Sequence, residues 1–202
     1  MSKKGLLVVI SAPSGTGKDA LIECLSQKAP DIFKSISATT REMRVGEKEG
    51  VDYYFTTKEN FEKLIADEEV VEYTKYCNNY YGSPKAPIME NLEKGRDVVL
   101  KIEVEGAMNI RRMFPDSVLI FVLPPSIEEL KKRLDKRGTE DECTIEKRMK
   151  RARTEVTYAG EYDYLVVNDD LSRAAEQLMD IIKAEKLKTF RNHDIIKSIL
   201  VD

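Results

Sequence analysis

Near the start of the chain, an apolar strand, a glycine-rich turn and a helix follow one another directly, and this succession most restricts the possible folds. Residues 6–10 have the sequence LLVVI, a run typical of a strand buried on both faces of a parallel sheet. Residues 11–18 have the sequence SAPSGTGK, and Leu21 and Leu25 then follow at helical spacing. The pattern predicts a loop at the carboxyl end of a strand. The last residue of this loop begins a helix.

A loop of this kind binds phosphate. Glycines let successive backbone N–H groups surround an anion, the helix N-terminus adds partial positive charge, and a lysine contacts the β- and γ-phosphates. An ordinary glycine turn is the alternative, but the flanking strand and helix favour a phosphate-binding loop (P-loop). We assign to it Ala12, Pro13, Ser14, Gly15, Thr16, Gly17, Lys18 and Asp19.

The P-loop pattern G-x-x-x-x-G-K-[ST] is met only in part. Ala12 replaces the first glycine, which is a small change if φ is negative at that position. Asp19 replaces the Ser or Thr whose hydroxyl normally holds Mg²⁺ beside a triphosphate, and this change matters more. We therefore treat Asp19 as a candidate Mg²⁺ contact, with phosphate oxygens and water as the main ligands of the ion.

Composition and charge disfavour several functional classes. The 202 residues carry 33 Lys and Arg against 36 Asp and Glu, which argues against a nucleic-acid binder held by bulk positive charge. No apolar run is long enough for a membrane span or a signal peptide, so we expect a cytoplasmic protein that binds no membrane. A single histidine, His193, and three scattered cysteines argue against a histidine triad, a zinc site or a disulfide framework.

Apolar runs alternate with helical patterns along the rest of the chain. VVL at residues 98–100, VLIFVL at 118–123 and LVV at 165–167 predict three more buried strands. Helices are predicted between and after them at about 105–113, 126–136 and 141–158. This alternation predicts an α/β fold with a parallel sheet flanked by helices.

One domain is expected over residues 1–202, because no repeat or Pro/Gly/Ser-rich linker divides the chain. Residues 36–96 break the alternation with short β-like pieces and a helix near 58–66, which Thr56 or Thr57 is expected to cap. They predict a small α+β insertion. Residues 131–155 are charge-rich and predict a mobile helical lid with little apolar core. The remaining core is expected at about 4–35, 97–130 and 156–190.

The last thirty or so residues predict a long amphipathic helix or a helix pair. Its apolar stripe is expected to pack on the core, and the alternative is a dimer surface, so the protein is either a monomer or a homodimer. The stripe contains Leu171, Ala175, Leu178, Ile181 and Ile182.

A second phosphate-binding site is indicated at residues 37–47, SATTREMRVGE. Two guanidinium groups, on Arg41 and Arg44, can hold a phosphate dianion, and Glu47 can orient one of them. Tyr53 and Tyr81 can each donate a phenolic hydrogen bond to the same group. Two arginines alone more often lie on a solvated surface, so the prediction of this site depends on their combination with the glutamate and the two tyrosines.

The sequence resembles guanylate kinase from about residue 6 to about residue 186. The motifs are APSGTGK at 12–18, TTR at 39–41 with Arg44 and GE at 46–47, NYYG at 79–82, LPPS at 123–126, KRGT at 136–139 and VNDD at 167–170. The resemblance implies a P-loop NTPase fold that carries an insertion for the nucleoside monophosphate (NMP) and a lid. It also implies transfer of a phosphoryl group from ATP, with Mg²⁺, to GMP and to dGMP.

The same resemblance assigns roles to individual residues. ATP is expected on the P-loop and near Asn168, and Lys18 and Arg41 are expected to act in catalysis. Arg41, Arg44, Tyr53 and Tyr81 would bind the phosphate of GMP, with Glu47 beside them. Guanine would be recognised or positioned by Ser37, Glu72, Ser83 and Glu103. The lid arginines that close over the transferred phosphoryl group would be Arg133, Arg137 and Arg148.

Hydrogen-bonding chemistry agrees with a guanine site. Guanine offers O6 as an acceptor and N1–H and N2–H₂ as donors, so a carboxylate such as Glu72 accepts from two donors while a hydroxyl donates to O6. Adenine would leave that carboxylate unpaired at a cost of roughly 1–3 kcal/mol or more. Sites that recognise a substrate through such hydrogen bonds can favour it over an analogue that lacks them by roughly 10⁴-fold in kcat/KM. In isolation, Glu72 would instead be an ordinary acid on a strand surface.

Two positions depart from the family pattern. Lys101 stands where an acid is usual, and Asp19 stands where Ser, Thr or Gly is usual. One hypothesis is a compensated exchange, in which Asp19 contacts Mg²⁺ and Lys101 offsets its charge. The alternative is two independent, tolerated changes.

Other functions compete with an ATP:GMP phosphotransferase. One is a catalytically weak or silent guanylate-kinase-like module that binds proteins, although the intact P-loop argues against it. Another is a P-loop kinase with a different phosphorylated acceptor, which Ser37, Glu72 and Ser83 disfavour.

Overall fold

The computed structural model describes residues 4–76, 78–136 and 142–200. In chain order, the strands are β1 (Leu7–Ser11), β2 (Phe33–Lys34), β3 (Ala38–Thr39), β4 (Tyr54–Phe55), β5 (Val70–Tyr76), β6 (Asn79–Pro84), β7 (Val98–Lys101), β8 (Val118–Leu123) and β9 (Tyr164–Val167). The α-helices are α1 (Lys18–Lys28), α2 (Lys58–Ala66), α3 (Lys85–Glu93), α4 (Val104–Met113), α5 (Ile127–Lys136), α6 (Glu142–Thr157), α7 (Leu171–Lys186) and α8 (His193–Leu200).

The larger sheet has five parallel strands in the order β2-β7-β1-β8-β9. This architecture confirms the predicted α/β class, because helices cover both faces. β1 lies at the centre of the sheet, with Val8 opposite Val99 on one side and Val118 on the other. The turn that follows β1 therefore lies at the carboxyl edge of the sheet, where ligands of parallel α/β proteins bind.

The prediction that residues 165–167 are buried like the other strands was wrong. β9 is an edge strand, and Leu165 and Val167 are exposed while Val166 is buried. An edge strand has a neighbour on one side only, and the helices cover it incompletely. An apolar composition alone does not distinguish such a strand from a central one.

Two apolar layers enclose the larger sheet. On one face, α1 and α7 pack through Leu21, Leu25 and Leu178 onto alternate residues of the central strands. On the other face, α3 and α4 contribute Ile88 and Ile110. Because both faces are buried, β1 shows no polar alternation, as its continuous apolar sequence predicted.

The insertion contains a second sheet with the strand order β4-β3-β6-β5. β6 is antiparallel to both β3 and β5, whereas β3 and β4 are parallel. Thr57 caps α2 by accepting a hydrogen bond from the backbone of Asn60 at 3.2 Å, so the second of the two predicted caps is the observed one. This sheet presents β5 and β6 towards the P-loop side of the molecule, as the cavities below show.

α5 and α6 form the described part of the lid. The expectation that the lid has little apolar core was wrong, since five side chains of the two helices form a buried cluster: Leu130, Leu134, Ile145, Met149 and Ala152. High charge masks their spacing of three and four residues, which places each set on one helix face. Arg137, the second predicted lid arginine, lies outside the described residues.

The carboxyl-terminal stripe packs on the core as predicted. Ala175, Leu178 and Ile182 of α7 are buried against the larger sheet and α1, and Ile181 is partly buried there. Leu171 does not join them and is 40% exposed, because it is the first residue of the helix and lies beyond the edge of the layer. Across the described ranges, every helix is too short or too polar to cross a membrane.

Leu178 and Leu171 offer a matched test of this packing. Leu178→Ala is expected to lower the free energy of unfolding by about 2–5 kcal/mol, because a fully buried side chain leaves a cavity. Leu171→Ala on the same helix should change it by only about 0.5 kcal/mol. Urea denaturation followed by circular dichroism measures both, and equal losses would contradict the assignment of this helix face to the core.

Candidate active site

Two glycines shape the turn that follows β1. Gly15 and Gly17 have φ of 93° and 90°, in the left-handed region that residues with a Cβ rarely adopt. α1 begins directly afterwards at Lys18, so its first backbone N–H groups point towards the loop. Ala12 is buried and does not have a positive φ, which explains why alanine fits where the pattern has glycine.

The loop is held from behind by the segment after β9 and by α5. A Cβ on Gly17 would lie 2.8 Å from Nδ2 of Asn168, and that amide donates to the Thr16 carbonyl at 2.8 Å. Arg133 Nη1 donates to the same carbonyl at 3.2 Å and to the Asn168 carbonyl at 3.1 Å. Asn168 and Arg133 therefore hold the backbone of the P-loop, and Arg133 does not line either cavity described below.

Lys18 lies at the bottom of the site. Its Nζ donates to the Ile102 carbonyl at 3.3 Å, just beyond the end of β7. Burial lowers the pKa of Lys18, and the nearby carboxylate of Glu103 opposes this shift. The sheet thus holds a partly buried amine between the P-loop and the insertion.

A cavity of about 350 Å³, the first cavity, lies between the P-loop and the insertion. Ten of the predicted site residues line it: Ser14, Lys18, Asp19, Ser37, Arg44, Tyr53, Glu72, Tyr81, Glu103 and Arg148. Arg148 reaches it from α6, with Nη1 at 3.5 Å from Ser14 Oγ. The structure therefore brings the two predicted sites together in one space.

A second cavity, of about 610 Å³, adjoins the first and contains the predicted anion-binding group. Arg41, Arg44, Tyr53 and Tyr81 line it together with Glu47. Glu47 accepts from the backbone N–H of Arg44 at 2.8 Å and from Arg41 Nη2 at 2.7 Å, so it orients the guanidinium of Arg41. This hydrogen bond raises the pKa of Arg41, which therefore stays charged.

Glu72 is the buried acid of the site. Ser83, directly opposite on β6, donates through Oγ to Glu72 Oε1 at 2.7 Å. Burial raises the pKa of Glu72 to about 7. A Cβ on Gly106 of α4 would lie only 2.5 Å from Glu72 Oε2, so glycine leaves the space that the carboxylate occupies. Sequence reasoning gave Gly106 no role, although a glycine in a helical pattern signals close packing.

Arg151 is a second residue that sequence reasoning missed, since it was grouped with solvated charges. Its Nη2 donates to Glu103 Oε2 at 2.8 Å and its Nε donates to Glu155 Oε1 at 2.7 Å. Burial, and then the charge of Glu103, raise the pKa of Glu155. The four-residue spacing of Arg151 and Glu155 indicates an ion pair on α6, but no local pattern indicates the contact with Glu103. Arg151 thus links the lid to the acid at the start of α4.

Thr74 is a third missed residue, and it lines the first cavity. It lies two residues after Glu72 on β5, so both side chains point to the same face of the sheet. The period of two was the signal that could have identified it.

Asp19 and Lys101, the two departures from the family pattern, form an ion pair of 2.7 Å. Lys101 ends β7 opposite Ile10 of β1, so it lies beside the first turn of α1. Burial alone lowers the pKa of Lys101, but the charge and hydrogen bond of Asp19 raise it above its ordinary value. This pair gives the compensated-exchange hypothesis a geometric basis, and the Mg²⁺ contact of Asp19 stays a prediction.

The described residues contain no group of three or more His, Cys, Asp or Glu side chains arranged to hold a metal ion. Asp19 is one carboxylate at the cavity and is already paired with Lys101. A divalent ion that arrives with phosphate ligands of its own fits this arrangement, because Mg²⁺ typically takes one or two carboxylates beside phosphates and water.

Comparisons with known proteins agree with this geometry. The family model described as guanylate kinase matches residues 4–185. A guanylate kinase of Caldanaerobacter subterraneus subsp. tengcongensis is 47% identical over 98% of this chain and 97% of its own length. One of Clostridioides difficile is 49% identical over 96% of this chain and 95% of its own length.

The fold agrees as well. The crystal structure of guanylate kinase from Anaplasma phagocytophilum matches 94% of this chain and 90% of its own chain, with a TM-score of 0.77 and 37% identity. The match confirms the predicted P-loop NTPase fold and the resemblance drawn from the motifs. The chain belongs to the guanylate kinase family.

Proposed function

We propose that this protein is an enzyme that transfers the γ-phosphoryl group of ATP to the phosphate of GMP, giving ADP and GDP, and that it accepts dGMP in the same site. The observation that carries the proposal is the first cavity, which Lys18 of the P-loop and the buried Glu72 line together. A phosphate-binding amine and a guanine-binding acid in one cavity fit a kinase whose acceptor is a guanine nucleotide. The relatives named guanylate kinase support it.

ATP binds with its β- and γ-phosphates against Lys18 and the backbone N–H groups of the P-loop. Arg148 approaches the same loop from the lid, and Arg133 and Asn168 hold the loop in shape. Arg137 completes the lid arginines by the family resemblance. Mg²⁺ bound to ATP would offset phosphate charge, and Asp19 is the P-loop carboxylate that would contact it, beside phosphate oxygens and water as its main ligands.

GMP binds in the insertion. Its phosphate is held by Arg41, Arg44, Tyr53 and Tyr81 in the second cavity, where Glu47 already orients Arg41. Guanine extends into the first cavity, where Glu72 accepts from N1–H and N2–H₂. Supporting contacts come from Ser37, Ser83 and Glu103.

The chemistry is an in-line transfer that forms a bond from a GMP phosphate oxygen to the γ-phosphorus and breaks the bond to the β–γ bridging oxygen of ATP. The attacking oxygen is already ionised, so no general base is required. Catalysis consists of positioning and of offsetting the charge that spreads over the transferred group. Lys18, Arg41 and Arg148 supply fixed positive charge for this purpose, while Arg133 acts by holding the P-loop.

Several finer features stay proposals. We propose that residues 36–96 form the NMP-binding insertion and residues 131–155 the lid of a single domain. Action in the cytoplasm on purine nucleotides, and the choice between monomer and homodimer, stay predictions of the sequence. No comparison favours a silent protein-binding module, and the retained P-loop geometry argues against one.

A coupled assay of ADP release tests activity and acceptor choice together. With ATP and Mg²⁺, GMP and dGMP should be phosphorylated, while AMP, CMP and UMP should show kcat/KM about 10⁴-fold lower. The reason is that none of these bases offers two adjacent donors to the buried Glu72 carboxylate. Lys18→Met, purified in the same way, controls for contaminating kinases.

Glu72→Gln is the matched variant for acceptor recognition. Its kcat/KM for GMP should fall about 10- to 100-fold, because one charge-assisted hydrogen bond is lost, while the KM for ATP stays unchanged. If no acceptor gives any release of ADP, the result would support the silent module instead. Equal rates with GMP and AMP would support a different acceptor.

The raised pKa of Glu72 predicts that guanine binding depends on pH. The guanine donors bind the ionised carboxylate, and this form is lost as the pH falls through about 7. Guanosine affinity should therefore fall about fivefold from pH 7 to pH 6. Guanosine is the probe because the phosphate of GMP titrates in the same range.

NMR titration of the protein with guanosine at both pH values measures this effect. Glu72→Gln should bind guanosine more weakly at pH 7 and show no such pH dependence. If the wild-type affinity is the same at both pH values, Glu72 does not contact guanine as proposed.

A further inference from the structure

Lys101 lies where the two cavities meet. It ends β7, the strand beside β1, and it lines both the first and the second cavity. Its charge adds to burial in lowering the pKa of Lys18, and it opposes the burial-driven rise in the pKa of Tyr53. Lys101 therefore lines the same cavities as Tyr53, a residue of the acceptor phosphate site, and its charge influences both Lys18 and Tyr53.

Asp19 creates an electrostatic problem at the same place. It also lines both cavities, and an uncompensated carboxylate there would repel the phosphates of both nucleotides. The 2.7 Å ion pair with Lys101 offsets the charge of this carboxylate. The pair also holds the flexible lysine side chain in one position at the edge of the second cavity.

Lys101 has hydrogen-bonding capacity left after this contact. An ammonium has three N–H donors, and within the described ranges Nζ makes one hydrogen bond, to Asp19 Oδ1. The side chain is partly exposed and lines the second cavity, which Arg41 and Arg44 also line. A phosphate bound by those arginines would accept from the remaining donors of Lys101.

We propose that Lys101 is an additional phosphate-binding residue for the acceptor nucleotide, and that Asp19 is the positioning residue that aims its ammonium at that phosphate. This inference rests on the proposed function, and it concerns a position at which an acid is usual in the family. It assigns Lys101 a contact with the nucleotide, whereas the compensated exchange gave it only the task of offsetting Asp19.

Binding measured without ATP and Mg²⁺ isolates the acceptor site. By isothermal titration calorimetry, Lys101→Met should bind GMP at least about tenfold more weakly than the wild type, because a charge-assisted hydrogen bond is lost. Guanosine, which lacks the phosphate, should bind both proteins equally and also shows that the variant is folded. Lys101→Gln, which keeps a polar side chain beside Asp19, should show the same selective loss and serves as the test if the Met variant is unstable.

A double variant separates phosphate contact from simple charge compensation. If Lys101 only cancels the charge of Asp19, the double variant that combines Asp19→Asn with Lys101→Met should bind GMP as tightly as the single variant Asp19→Asn. If Lys101 contacts the phosphate, the double variant should remain at least about tenfold weaker than Asp19→Asn. Equal losses for GMP and guanosine, or full recovery in the double variant, would overturn the proposal.

The outcome is separable from that of the proposed function. ADP release with GMP by the wild type supports the phosphotransferase whatever Lys101 does. Wild-type activity together with unchanged GMP binding by Lys101→Met would reject the inference about Lys101 alone.

Discussion

Phosphate groups repel one another, and this repulsion governs how the site is arranged. Two nucleotides can exchange a phosphoryl group only where fixed cations and backbone dipoles outweigh the repulsion between their charges. The carboxyl edge of the parallel sheet provides such a place. There β1 and β7 end side by side, so that the N-terminus of α1, Lys18 and Lys101 come together without a flexible loop to hold them.

The cations of the site are oriented by carboxylates of the protein itself. Glu47 holds Arg41, Asp19 holds Lys101, and Glu103 with Glu155 hold Arg151. Each pair lowers the cost of keeping positive charge in a partly buried cleft and defines the direction of the side chain before a ligand arrives. The contact between Arg151 and Glu103 also joins the lid to the acceptor side.

Much of the site could be predicted, because its key motifs are local. The P-loop needs only a strand, two glycines and a lysine in succession, and Glu47 lies six residues from the arginine that it holds. Elements were harder to judge where burial depends on neighbours. The apolar β9 turned out to be an exposed edge, and the charge-rich lid contains a buried cluster contributed by two helices. Composition does not report how far a neighbouring element covers a strand or a helix face.

By itself, the sequence determined the alternation of strands and helices, the P-loop and the types of residue available to bind phosphate and guanine. These features depend on residues that are close along the chain. The folded arrangement was needed to bring Lys101 to Asp19 across 82 residues and Arg151 to Glu103 across 48. Such contacts follow from strand order and from the packing of helices on the sheet, and no local pattern encodes which strand ends lie side by side.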